Sequence, residues 1–209
     1  MKNEELTSKH LDATVKKVVT YIALILIVAE LVLILISWFL AATMADDVHS
    51  LLSAEGIRFF FGNFTLMLQQ PLLVWLLLLS MAYGCLVRSS LAQAFTQPAA
   101  RRQRQALRLV AALLVLIVAV VLLLTVMPHA VLLSATGRLW PSPFSRALVP
   151  VIAFSVILLS SAYGLTTRRF LSLTDVFQSL SWGIAQWAPL FMLYVLLQQL
   201  VESLRFVFI

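Results

Sequence analysis

The sequence predicts an all-α, polytopic membrane protein with five transmembrane helices. Three observations carry that reading. Hydrophobic residues make up 62% of the 209 and charged residues only 11%, too few to surround a soluble core with a charged surface. Several apolar runs reach about 20 residues, which at about 1.5 Å per helical residue cross a hydrocarbon layer of about 30 Å. None of these runs alternates apolar with polar residues in segments of about 10, as the strands of a membrane barrel would.

The spans fall at 18–43, 66–87, 107–127, 147–167 and 187–205, within a single membrane domain over 18–209, and each is bounded by charge, proline or a polar cluster. The opening "MKNEELTSKHLDATVKK" (1–17) carries Glu4, Glu5 and Asp12 among its lysines. The apolar run behind it is too long for a cleavable leader, so 1–17 reads as a cytoplasmic segment before a retained first span. Pro71, Pro150 and Pro189 stand near the starts of the second, fourth and fifth spans. A missing N–H costs least there, so these prolines read as marks of helix starts rather than kinks.

Two connections carry structure of their own. "SAEGIRFFFGNF" (53–64) opens on a serine suited to cap a helix and holds Phe59, Phe60 and Phe61, which suits a short interfacial helix. "SLTDVFQSLSWGIAQW" (172–187) sets Val176, Phe177, Leu180, Ile184 and Trp187 at helical spacing, with Asp175, Gln178 and Ser179 opposite. It reads as an amphipathic helix feeding the fifth span, with Gly183 and Pro189 permitting a bend.

Orientation follows from the basic residues. With the N-terminus inside, all but four of the fifteen Lys and Arg lie on the inner side; only Arg58, Arg138, Arg146 and Arg205 lie outside. Inner connections of membrane proteins carry the excess of such residues, so the N-terminus is placed in the cytoplasm and the C-terminus outside. The same distribution accounts for the net charge of +6 without a nucleic-acid partner. The bilayer is the partner that composition implies.

The segment "LLSMAYGCLVRSSL" (78–91) recurs as "LLSSAYGLTTRRFL" (158–171). The copies end the second and fourth spans, so the chain reads as two parallel two-span repeats followed by one further span. Ser80, Ala82 and Gly84, like Ser160, Ala162 and Gly164, are small residues of the kind that let helix backbones approach in lipid. Tyr83 and Tyr163 lie about one turn before Arg88 and Arg168, where ring and guanidinium would both sit at headgroup depth. A lining of a substrate path is the alternative for these tyrosines.

No catalytic constellation is present. His10, His49 and His129 lie in the tail and the outer loops without metal-ligand spacing, the single cysteine, Cys85, lies in an apolar run, and no phosphate-binding glycine loop occurs. No enzyme activity, metal or cofactor is expected. Glu30, in "LIVAELVLIL", stands apart. A charged carboxylate midway along a span costs about 2.5–3.5 kcal/mol on insertion scales, so it should be protonated, face the bundle or line a wet cavity. It is a candidate for proton coupling, or for an interhelical hydrogen bond with Gln198, Gln199 or Tyr194.

The stretch "LLSAEGIRFFFGNFTLMLQQPLLVWLLLL" resembles the p-aminobenzoyl-glutamate transporter family (AbgT), in which a Leu-Leu-Ser-x-x-Gly-(Ile/Leu)-Arg segment leads through Asn-Phe into a span. Gly56, Arg58 and Asn63 are matching positions. "SPFSRALVPVIAFSVILLSSAYGLTTRRFLSLTDVFQSLS" is similar to the family's Ser-Pro-Phe segment, its proline-containing span ending in Tyr-Gly, and the Asp-Val helix after it, through Pro150, Tyr163, Gly164, Asp175 and Val176. The resemblance implies a bacterial inner-membrane transporter of a small anionic solute such as p-aminobenzoyl-glutamate, working as a homodimer. The family holds substrate in re-entrant hairpins, and "AQAFTQPAARRQRQA" between the second and third spans is too short for one. The resemblance is therefore to a shortened form, built of the scaffold helices. A membrane scaffold or assembly subunit that binds a partner with the same helices is the alternative.

Overall fold

A computed structural model of the chain describes residues 2–43, 49–95, 101–126 and 143–208. Among them there are six α-helices and no strand: α1 (Lys2–Ala42), α2 (Ala54–Leu68), α3 (Pro71–Ser89), α4 (Arg101–Val126), α5 (Pro143–Thr166) and α6 (Leu173–Phe208), with a 3-10 turn at Ala92–Phe95. Helices are the expected answer for such a chain, because hydrocarbon offers no partner to a backbone N–H or C=O and a helix satisfies them within itself. Val15–Ala42, Pro71–Ser89, Arg101–Leu124, Ala147–Thr166 and Leu173–Phe208 are long and apolar enough to cross a membrane. The protein is thus an all-α polytopic membrane protein.

Several boundaries differ from the sequence reading: the helix of the first span already begins at Lys2 and that of the third at Arg101. The second span starts at Pro71 rather than 66, because Leu66–Leu68 belong to α2, whose end is closed by the Gln69 N–H donating to the Leu66 carbonyl. Pro71 is the first residue of α3, but Pro150 and Pro189 lie inside α5 and α6. The reading of those two as helix starts is corrected: α5 already begins at Pro143, and the amphipathic segment and fifth span form one helix of 36 residues. Each internal proline leaves a carbonyl one turn earlier without its N–H, a loss that local adjustment within a span can absorb.

The chain divides into two compact units, 1–73 with 188–209, and 74–187. In the first, Leu33, Leu51 and Val207 form a buried core against which Ile34, Leu200 and Phe206 pack. The connection from α1 to α2 is tied down by the His49 N–H donating to the Val207 carbonyl at 3.2 Å and the Leu51 N–H donating to Ser37 Oγ at 3.2 Å. Ser53 caps α2, its Oγ accepting from the Gly56 N–H at 3.0 Å. A Cβ at Gly56 would fall against the Leu51 backbone, which explains the glycine at a helix start that the preceding turn crosses.

In the second unit, Leu91, Ala106, Val110, Leu159 and Tyr163 form the core, with Leu86, Leu107 and Leu113 packed on it. The turn after α5 brings Arg169 Nη1 to Ser90 Oγ at 2.8 Å. Asp175 folds back over the start of α6, its Oδ2 accepting from the Leu171 and Ser172 N–H groups at 2.7 and 3.1 Å. A carboxylate there satisfies donors that a helix start leaves open and meets the positive end of the helix dipole. Asp175→Ala should cost about 1 kcal/mol, read as a lowered thermal unfolding midpoint in detergent.

Candidate functional site

Glu30 sits in α1 well away from either end, partly buried. Its Oε1 accepts from Ser203 Oγ at 2.6 Å and from Gln199 Nε2 at 3.5 Å, and Gln199 Nε2 also donates to Ser203 Oγ at 3.2 Å. Gln199 and Ser203 are four residues apart on α6, so one helix face presents both. Glu30 Oε2 is buried and has no hydrogen-bond partner among the described residues. Arg205, two residues beyond Ser203 on α6, is paired with Glu202 at 2.9 Å.

A cavity of about 440 Å³ opens at this cluster, lined by Glu30 and Gln199 and otherwise by apolar residues of α1, α2 and α6 and the turn before α2. Of the three side chains weighed from sequence as Glu30 partners, Gln199 is at the carboxyl. Gln198 donates instead to Glu202 at 3.2 Å, and the Tyr194 hydroxyl is buried without a partner among the described residues. Ser203 is the residue that sequence reasoning missed. Its only signal was a position one turn beyond Gln199.

The two copies of the Ser-x-Ala-Tyr-Gly segment meet different surroundings. On α3, Ser80, Ala82, Gly84 and Cys85 are buried. Gly84 faces Gly183 of α6: a Cβ on Gly84 would lie 2.6 Å from Gly183 Cα and strike the Ser179 carbonyl, and one on Gly183 would strike the Ser80 carbonyl. Ser80 and Gly84, and Ser179 and Gly183, are thus two small pairs at four-residue spacing that bring helix backbones together. Gly164 faces the ring of Phe170. Ser80 Oγ donates to the Leu77 carbonyl at 2.7 Å, while Ser160 Oγ is buried and has no partner among the described residues. Tyr83 is 42% exposed and stacks on Trp182, over which Arg88 also lies, whereas Tyr163 is 2% exposed in the core of its unit. Ala162 is half-buried beside it.

Cys85 is a fully buried free thiol beside Ser161 Oγ, 3.3 Å away, across α3 and α5. No cluster of metal-ligating side chains occurs among the described residues; His129 and the side chain of His10 lie outside them.

Residues 86–207, more than half of the chain, match the family model described as "AbgT putative transporter family". The chain belongs to the AbgT transporter family. No curated protein and no solved structure matches it. Membership in AbgT, with five spans, makes this a transporter-like membrane protein rather than an enzyme. The region matched to the AbgT family includes Pro150, Tyr163, Gly164, Asp175 and Val176, and leaves out Gly56, Arg58 and Asn63. Of the AbgT-like positions, Gly56 and Asp175 have the structural roles given above, and Arg58 is exposed on α2. The side chain of Asn63 lies outside the described residues.

Proposed function

We propose that this AbgT-family protein moves a small anionic solute, such as p-aminobenzoyl-glutamate, across the bacterial inner membrane, as a homodimer with its N-terminus in the cytoplasm. Family membership and the placement of the basic residues support the class and the orientation. The observation that carries a transport role is the carboxyl of Glu30. It is held inside a span by neutral donors alone, with one oxygen left bare. Ionisable groups at such depth are costly, and their usual use is in ion and proton pathways. Glu30 then carries the coupling proton, and Gln199 and Ser203 hold it in register as the proton comes and goes.

The test is uptake of labelled p-aminobenzoyl-glutamate into proteoliposomes, with and without a proton gradient. Wild-type protein should show gradient-stimulated uptake. Glu30→Gln should lower the gradient-driven part by at least about tenfold, the equivalent of about 1.4 kcal/mol, while leaving the folded fraction intact. No gradient-sensitive uptake by monodisperse protein would sink the transport reading.

A second reading is favoured by the unbroken course of α3, α5 and α6 over their described lengths, since transporter sites are commonly built on interrupted helices. On it the same helices act as a membrane scaffold or assembly subunit. Recovery of a stoichiometric second membrane protein with the purified chain, together with absent uptake, would decide for it.

A further inference from the structure

The cavity beside Glu30 has a chemistry that the transport of an anion does not explain. Each donor in the polar cluster is already used. The Ser203 hydroxyl gives its hydrogen to Glu30, and the Gln199 amide gives its two to Glu30 and Ser203. With Glu30 ionised, what remains are acceptors: its Oε2, buried and without a partner among the described residues, and the carbonyl oxygen of Gln199. Both residues line the cavity, and among the described residues no cationic side chain does. Arg205 is already paired with Glu202. An anion brought here would add acceptors to acceptors and like charge to like. An alcohol could donate once without balancing a carboxylate. An ammonium donates up to three hydrogen bonds and brings the opposite charge.

The rest of the wall sets the body of the ligand. Apart from Glu30 and Gln199, the lining is aliphatic or aromatic, with Phe60 and Phe61 in edge contact at 5.4 Å between ring centres. At about 440 Å³ the space falls in the range of sites that enclose small molecules, about 300–1,000 Å³. We propose that this cavity is a binding site for a lipophilic primary amine, its ammonium donating to Glu30 Oε2 and the Gln199 carbonyl and its apolar or aromatic body lying against Ile57, Phe60 and Phe61.

The experiment uses the full chain in nanodiscs and measures equilibrium binding of 1-naphthylmethylamine against protein-free nanodiscs. Naphthalene-1-acetic acid and 1-ethylnaphthalene serve as acidic and neutral counterparts. Saturable binding of the amine, one per chain, is expected, with neither counterpart saturating. Glu30→Gln should weaken the amine at least about tenfold. Ile57→Trp, which fills the cavity from an exposed position on α2 and leaves the carboxyl in place, should abolish binding while the unfolding midpoint stays near wild type. Loss of binding in Ile57→Trp keeps the test decisive even if Glu30→Gln does not fold. Equal binding of the acid or the neutral compound, undiminished binding in both variants, or no saturable amine binding by folded wild-type protein would overturn the proposal. Binding is read without a gradient, so its failure and the failure of coupled uptake are separate results.

Discussion

Gly84→Ala should leave little monodisperse protein after extraction, whereas Gly164→Ala should fold and unfold within a few degrees of wild type. The two glycines hold the same place in a repeated sequence, so the contrast comes from what each one touches. A methyl at Gly84 would run into backbone: the Ser179 carbonyl, with Gly183 Cα at 2.6 Å and Gly183 N at 2.7 Å. Backbone of a packed helix cannot rotate out of the way, so α3 and α6 must separate along a contact that also holds Ser80. Overpacking costs about 1–3 kcal/mol where side chains can yield, and more where they cannot. In lipid, close contact is itself the main source of helix association, so little remains to hold a separated pair. The helix propensity gained by Ala over Gly, about 1 kcal/mol, is too small to offset this. At Gly164 the obstacle is the Phe170 ring, with Cε2 at 2.6 Å and Cγ at 3.0 Å. A ring can swing, and the same gain in propensity largely cancels a cost of about 1 kcal/mol. Gly183→Ala should behave like Gly84→Ala, because its methyl would strike the Ser80 carbonyl and lie 2.9 Å from Gly84 Cα. Size-exclusion profiles and thermal unfolding of the three variants, side by side, provide the measurement. Equal losses at Gly84 and Gly164 would mean that the repeat matters as such and the α3–α6 contact does not.

That contrast also marks how far the sequence could be read. Run length alone located the five spans, because hydrocarbon thickness is a constraint that each helix meets by itself. Glu30 was conspicuous for the same reason: one carboxylate in an apolar run is costly wherever it is placed. Its partner was harder. Ser203 lies 173 residues away, and a serine in a span has no compositional mark, so only the packing of α1 on α6 could choose it. Gly183 was legible as a glycine but its contact with α3 was not, since the residue serves flexibility and close approach alike. Pro150 and Pro189 were read from a local preference for first turns, which the continuation of α5 and α6 overrode. The duplicated segment is the sharpest case. The shared letters gave Tyr83 an exposed stack on Trp182 and Tyr163 a buried place in the core of the second unit: the first copy meets Gly183 of α6 through Gly84, and the second meets Phe170 through Gly164.

Tyr163→Ala should therefore be strongly destabilising, and Tyr83→Ala nearly silent. Among the described residues Tyr163 is the largest fully buried side chain, enclosed by Leu91, Ala106, Val110 and Leu159. Truncating an aromatic side chain in a soluble core costs about 3–5 kcal/mol through lost transfer energy and the cavity left behind. In lipid the transfer part shrinks, since apolar surface gains little by leaving hydrocarbon for protein. The packing part survives, which places the expectation nearer about 2–3 kcal/mol. The cluster lies at the basic end of α4, where Ala106 stands between Arg104 and Arg108, so water that enters a vacated site would add to the loss. Tyr163→Phe keeps the ring and should recover most of the stability. Tyr83, 42% exposed, loses one stacking contact with Trp182 and one tilted contact with Trp187, together worth about 1 kcal/mol at most. Unfolding of the three variants by denaturing detergent separates packing from anchoring at the headgroups. If anchoring were the common role of the two tyrosines, Tyr83→Ala would cost as much as Tyr163→Ala, and Phe would rescue neither.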